Sequence, residues 1–285
     1  EVNGEIPMDG YDSQSMAPLK QIISDFASAM SSDNITMKAM KDYFNKPSGR
    51  KAVSVSPFSS QFKYSGAAFE DGSYVLGAPE FVLREDYDNY REQIEQYSSE
   101  GYRVLVFGIY DGVIDGKALT GKVTPLGLVF LSNPIRKEAP ETFKYFENQG
   151  VEIKVISGDN PVTVSQVALQ AGIANADNYI DASTLTTDEA IEDAVLRYTV
   201  FGRVTPDQKR KFVRALKKAG RTVAMTGDGV NDVLALKAAD CSIAMASGSD
   251  AAKSASHIVL LKNNFNAMPH IVNEGRRVIN NITAS

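Results

Sequence analysis

The sequence predicts an α/β protein in two parts: a parallel, doubly wound domain in its second half, and an α+β domain with an antiparallel sheet in its first. Three observations carry this. From about Asn133 onward, short apolar runs and helical segments alternate in a βαβα rhythm, which requires a parallel sheet with helices on both faces. Before that point, strand-like runs meet at hairpin signals with helical patterns beside them, which suggests an antiparallel sheet covered by helices on one face. The length, 285 residues with 43% hydrophobic and 23% charged, suits two domains of common size better than one large core.

The elements follow in order. Pro18–Met30 has helical apolar spacing, and a second helix is expected over Ile35–Phe44. Gln61–Phe69 and Ser73–Leu76 flank Asp71-Gly72, a hairpin signal. Asp86–Ser99 reads as a helix stopped by Gly101, followed by a strand over Arg103–Ile109. Gly112–Ile114 and Leu126–Leu131 are two further strand-like stretches. In the second half Val151–Ile156 is an apolar strand leading into Ser157-Gly158-Asp159-Asn160. Pro161 opens a helix that Gly172 closes. Tyr198–Phe201 is the next strand, and Thr205 caps a helix that begins at Pro206 and runs to Gly220. Thr222–Met225 is a strand ending in TGDGVND, with a helix from there to about Ala239. Ser242–Ala244 and His257–Leu261 are short strands, and a final helix covers about Met268–Ile282.

Composition excludes several classes. A formal net charge of -5 argues against a nucleic-acid partner, because phosphate neutralisation needs a basic face. The single cysteine, Cys241, allows no internal disulfide and fits a reducing compartment. No apolar run approaches the roughly 18 residues of a membrane span, and the polar start EVNGEIPMDG is not a signal peptide. The chain as given is therefore expected to be soluble.

Ligands of an open parallel sheet bind beyond the carboxyl ends of its strands. Two loops are expected there: Ser157-Gly158-Asp159 and Thr226-Gly227-Asp228-Gly229-Val230-Asn231-Asp232. Their glycines let the backbone approach a phosphate, and the helix that follows each adds its positive end. Asp228 and Asp232 offer hard oxygens, as direct ligands or as acceptors behind them, to Mg²⁺. An isolated Gly-Asp-Gly is more often a tight turn; a second loop of similar chemistry on another strand is what shifts the balance. Lys209 falls in the first turn of its helix, where a cation opposes the dipole, and that placement makes sense if it faces an anion. A solvated surface lysine is the plainer alternative. Neither a Walker A run nor GxGxxG is present, so neither kind of nucleotide loop is supported.

MTGDGVNDVLALKAADCSIAM closely resembles the hinge signature of the P-type ATPases, members of the haloacid dehalogenase superfamily. FGRVTPDQK and VISGDN resemble two further signatures of that family, and NPIR (Asn133–Arg136) stands where the family commonly has DPPR. In the first half PFSSQFKYSG, GAPEFVL and YRVLVFG resemble the nucleotide-binding domain of calcium and related hard-cation pumps. The likeness covers nearly the whole chain. It implies a nucleotide-binding domain over 1–131, a haloacid dehalogenase-like phosphorylation domain over 132–275, and the start of a membrane stalk helix over 276–285. It implies ATP and Mg²⁺ as cofactors, a transported cation bound in membrane helices, and a cytoplasmic position for this portion of a membrane protein. Phe58 would stack on adenine, with Lys63 and Gly77 lining the same pocket and Arg103 near the phosphates or ribose. Ser157 and Gly158, in the loop that includes Asp159, would bind the transferred phosphate. Lys209 would neutralise its charge, and Asp228 would hold Mg²⁺, supported by Asn231 and Asp232. Arg136 and Arg203 would be nucleotide contacts.

The family's phosphorylation motif, DKTGT, occurs nowhere in these residues. By family order it belongs just before Glu1, and its aspartate is the nucleophile. Without it the doubly wound domain lacks its first, central strand, and this chain alone is expected to bind ATP but to be inactive. Leu76 and Ser60 replace a common lysine and arginine, which implies a modest ATP affinity, and Asn133 alters the charge at the crossing between domains. The competing functional reading is a soluble phosphatase of the same superfamily, which would carry a complete nucleophile motif; the large first half argues against it.

Overall fold

The computed structural model describes residues 1–283. The chain separates into two compact units, one ending at Pro134 and the other beginning at Ile135.

The first unit contains β1 (Val2–Pro7), α1 (Leu19–Ala29), α2 (Ile35–Tyr43), β2 (Ser54–Ser56), β3 (Tyr64–Phe69), β4 (Gly72–Gly77), α3 (Pro79–Leu83), α4 (Tyr87–Ser99), β5 (Arg103–Tyr110) and β6 (Val123–Leu131). Its strands form one six-stranded sheet in the order β1-β6-β5-β4-β3-β2, every neighbouring pair antiparallel. The β3–β4 hairpin forms as expected, but its two-residue turn is Glu70-Asp71, with Gly72 already paired to Phe69. β1 brings Glu1 beside Ser132: the amino group donates to the Ser132 carbonyl at 2.7 Å, and the Ser132 amide donates back to Glu1 O at 2.9 Å.

The sheet is covered on both faces, not on one. Along β5, Leu105 and Phe107 belong to an apolar cluster with Ile23 and Phe26 of α1 and Met37 and Met40 of α2. Val104 and Val106, which alternate with them, pack with Val82 and Leu83 of α3 and Ile94 of α4. Successive strand residues point to opposite faces, so a continuous apolar run such as RVLVFGIY marks burial on both sides. Gly112–Ile114 is not a strand. Ile114 is instead a buried plug, its methyls lying where a side chain on Gly66 of β3 would stand.

The second unit contains α5 (Ala139–Asn148), β7 (Val155–Ile156), α6 (Pro161–Gln170), β8 (Tyr179–Asp181), α7 (Asp188–Arg197), β9 (Val200–Gly202), α8 (Pro206–Lys218), β10 (Ala224–Thr226), α9 (Val233–Ala238), β11 (Cys241–Met245), α10 (Asp250–Ala255), β12 (Ile258–Leu260) and α11 (Met268–Thr283). The expected strand at Val151–Ile156 pairs only over its last two residues. The helix from Pro206 carries a capping box, Thr205 accepting from the Gln208 amide and Gln208 accepting from the Thr205 amide. The segment expected as a stalk, 276–285, begins within α11, and its last two residues lie outside the described ones. No helix among the described residues is long and apolar enough to cross a membrane.

The strands of this unit are parallel, as the βαβα rhythm predicts, but they form two three-stranded sheets, β7-β9-β8 and β10-β11-β12. Among the described residues, β7 and β10 each have a strand neighbour on one side only. Ala224 and Thr226 of β10 are exposed, unusual for parallel strands, which are ordinarily buried on both faces. The two sheets nevertheless share supports. Leu216 of α8 packs against the apolar clusters of both, and Glu152, just before β7, is 3.7 Å from Arg221, just before β10.

Candidate functional site

In the second unit the structure brings the three signature segments into one bonded constellation. β7 leads into Ser157, whose amide donates to Phe201 O of β9 and whose hydroxyl accepts from the Asp159 amide at 3.1 Å. The backbone after β9 then clamps this loop. The Arg203 amide donates to Asp159 O at 2.8 Å and the Val204 amide to Ser157 O at 3.0 Å. Arg203 achieves this with φ +51, a left-handed conformation uncommon for a non-glycine residue. Asn160 caps α6, its Oδ1 accepting from the Val162 amide at 2.9 Å.

The clamp leads directly into α8, whose first turn carries Lys209. Its Nζ lies 2.7 Å from Asp232 Oδ1, and the two side chains are only 15% and 11% exposed. Asp232 Oδ2 accepts from the Gly229 amide at 3.0 Å. Both oxygens of Asp232 are thus engaged, one with a cation and one in closing the Gly-Asp-Gly turn. Gly227 makes that closure possible: a Cβ there would stand 2.6 Å from the Asp232 Cβ. Asp228 and Asn231 are exposed, and the Asp228 backbone is anchored by the Ser249 amide at 2.8 Å. Asp228 presents a hard-oxygen donor at the carboxyl end of β10, which suits one ligand of a Mg²⁺ ion that keeps waters and substrate oxygens in its other positions. No group of three or more potential metal-ligating side chains gathers among the described residues.

The two candidate arginines of this unit, Arg203 and Arg136, are tied to the protein. Arg203 Nη1 lies 2.5 Å from Asp181 Oδ2 at the end of β8. Burial pushes the Asp181 carboxyl up, but hydrogen bonds from the Ser183 hydroxyl and amide, with the charge of Arg203, outweigh it and hold the group below its ordinary value. Arg136 donates to the carbonyl of Asn263, and Asn263 Oδ1 accepts from the Ser247 amide at 2.7 Å. Arg136 is thereby connected to the Ser247–Ser249 loop that supports Asp228. Asp181 and Asn263 were not singled out from the sequence. Asp181 is signalled only by ending a short strand, and Asn263 by being a residue tolerant of its φ of +52.

In the first unit, Phe58 is 42% exposed and lines a pocket of about 300 Å³ with Pro57, Met30, Ser31, Asp33, Asn34 and Met37. Arg103, at the start of β5, donates to Thr36 Oγ1 at 3.2 Å, so it reaches the same end of α2. Lys63 has φ +56; its amide donates to Ser59 O at 2.7 Å and its carbonyl accepts from Ala78 at 2.9 Å. Gly77 pairs with Tyr64, and a Cβ on it would stand 2.4 Å from Lys63 O. The strand pairing itself therefore demands a glycine at 77. The pocket's own lining includes no cation, which suits an uncharged ring stacked on Phe58 better than a phosphate.

An arrangement of this kind belongs to a known class. Residues 17–240 match the family described as haloacid dehalogenase-like hydrolase, and a second family of that description matches 209–272. The chain is a member of the haloacid dehalogenase-like hydrolases. Among curated proteins it is 45% identical over 263 residues to the calcium-transporting ATPase CtpE of Mycobacterium tuberculosis, covering 92% of this chain and 33% of the relative. It is 40% identical over 286 residues to the probable cation-transporting ATPase exp7 of Streptococcus pneumoniae, covering 99% of this chain and 36% of the relative. The calcium-transporting ATPase 1 of Schizosaccharomyces pombe is 33% identical over 255 residues, 81% of this chain and 28% of the relative. The resemblance to cation-transporting ATPases is thereby borne out, and the chain spans about a third of the length of these relatives.

Proposed function

We propose that this chain is the nucleotide-binding and catalytic part of a P-type ATPase that couples ATP hydrolysis to transport of Ca²⁺ or a related hard cation. The observation that carries the reading is the bonded series from Ser157 through Val204 and Lys209 to Asp232 and Gly229, at the carboxyl ends of two parallel strands with open edges. Phosphoryl transfer is catalysed mostly by positioning and charge neutralisation. Here Ser157 and Gly158 receive the phosphoryl group, Lys209 balances its charge, and Asp232 holds Lys209 in place. Bound Mg²⁺, held by Asp228, supplies further neutralisation of the phosphoryl oxygens. In the first unit Phe58 stacks on adenine, with Lys63, Gly77 and Arg103 around it.

The nucleophile of this scheme is an aspartate on a segment of the longer protein that runs as a strand between β7 and β10. Its carboxylate attacks the γ-phosphorus, the bond from that phosphorus to the bridging oxygen breaks, and ADP leaves. The membrane helices that bind the cation belong to the longer protein as well, with this portion on the cytoplasmic side. The chain alone accordingly binds ATP and does not turn it over.

The test is calorimetric titration with Mg-ATP and with ATP alone, beside Phe58→Ala. Removing the ring is expected to weaken binding by about tenfold, roughly 1.4 kcal/mol. Equal affinity in the variant would remove adenine from Phe58, and no heat from the unaltered chain would overturn nucleotide binding by the first unit.

A further inference from the structure

Away from the constellation around Lys209 and Asp232, α8 and α9 border an open pocket of about 390 Å³ lined by Arg210, Arg214, Lys217, Leu234, Lys237 and Ala238. The chain as a whole carries -5, so four cations around one pocket are a local feature rather than a reflection of bulk charge. Three of them, Arg210, Arg214 and Lys217, follow one another at helical spacing on a single face of α8. Lys237 stands on α9, against which that face packs.

The acids nearby neutralise only the two ends. Asp207 pairs with Arg210 at 2.5 Å, and Asp240 pairs with Lys217 at 3.1 Å while Lys217 also donates to Ala238 O at 3.0 Å. Between them, Arg214 and Lys237 have no acidic partner among the described residues. Arg210 adds a further donor without a partner: its Nε is shielded from solvent and has no acceptor in the protein. The pocket therefore holds two uncompensated positive charges, a guanidinium fork and an apolar floor in Leu234, which is 47% exposed, and Ala238.

We infer that this pocket binds a phosphomonoester dianion, seated on Arg214 and Lys237 with its organic body over Leu234. Charge matches charge: a phosphomonoester carries close to two negative charges at neutral pH. A guanidinium meets phosphate oxygens with two parallel donors, whereas an ammonium acts as a point charge. The site is separate from the nucleotide and phosphoryl positions assigned above and does not rest on them.

The probes are inorganic phosphate and phenyl phosphate, titrated at pH 7.5 into the full chain and followed by backbone amide resonances. Phenyl phosphate is expected to shift the signals of α8 and α9 around Arg214 and Lys237, and to bind more tightly than inorganic phosphate because the ring covers Leu234. In Arg214→Gln/Lys237→Gln the affinity should fall about tenfold, with signals elsewhere unchanged as the control for folding. Arg214→Lys should fall between the two, because it keeps the charge and loses the fork. Shifts confined to Ser157–Asp159 and Thr226–Gly229, or equal affinity in the double variant, would overturn the inference. A second arm uses vesicles containing phosphatidic acid. Co-sedimentation that the double variant abolishes, without phenyl phosphate binding, would identify the phosphomonoester as a lipid headgroup. Failure of both the soluble probes and the vesicles would overturn the site.

Discussion

The two units use β-structure in opposite ways. In the first, the central strands β5 and β6 have partners on both sides and apolar layers on both faces, so Val106, Phe107, Leu126 and Leu128 are fully buried. In the second, β7 and β10 have partners on one side only among the described residues, β10 is largely exposed, and the candidate site residues gather at and beyond their ends. Strands paired on both sides are scaffold; β7 and β10, which end at the Ser157 and Asp228 loops, can still accept a neighbour.

The largest expected effect comes from breaking the saturated side. Phe107 is fully buried, edge-on to Phe26 at 5.3 Å and stacked on Tyr74 at 5.6 Å. Phe107→Ala should cost the first unit about 3–5 kcal/mol, read from urea unfolding followed on the amide signals of β5. A loss under 1 kcal/mol would show that this layer is not the tight core described.

Hydrogen exchange sharpens the comparison next. The amides of Val155 and Ser157 donate to β9, so alternation turns the amide of Ile156 towards the open edge. Ile156 should exchange at least about 100-fold faster than Val106 and Phe107; comparable protection would mean that the edge is not open in solution.

Lys209→Ala comes third. It leaves the Asp232 carboxylate, 11% exposed, without its cation, which should destabilise the second unit by about 2 kcal/mol. Asp232→Asn in the same background should recover part of that, since the neutral side chain tolerates the loss better. If the single variant is as stable as the parent, the pair is not holding the loop.

The smallest effect is spectroscopic. Burial, together with the hydrogen bond to Asp9 and its charge, pushes Tyr90 up to about 12. Because the folded state favours the protonated phenol, this contribution to stability is complete below the unfolded value of about 10 and is lost as pH rises towards 12. An ultraviolet titration should show Tyr90 titrating late, and Asp9→Asn should bring it only part of the way back, because burial, the larger cause, remains.

Much of this was legible in the residues. Helical spacing placed α1, α2, α4 and α8, and the capping residue Thr205 placed the start of α8 because its side chain has a defined local partner. The apolar run of β5 was read as a strand, but its second covered face was missed, although the absence of any polar alternation in Val104–Phe107 is itself the sign. α7 was missed despite Thr187, which accepts from the Ala190 amide as a cap before two acids. β8 is too short for any period to show. The loops around Ser157 and Asp228 were identified from their glycines and acids. Their mutual clamp through Val204 and Lys209 depends on a left-handed arginine and a long-range ion pair, neither of which leaves a local pattern.

The exchange of hydrogen bonds between Glu1 and Ser132 has a consequence for how the first unit could be handled as a part. Its entry and exit occupy one doorway, so the whole sheet hangs from a single attachment point, like a pendant on a ring. A unit built that way can be grafted into a surface loop of an unrelated host without prising the loop apart. The pocket beside Phe58, carried along intact, would then travel with the graft wherever the ring is fastened.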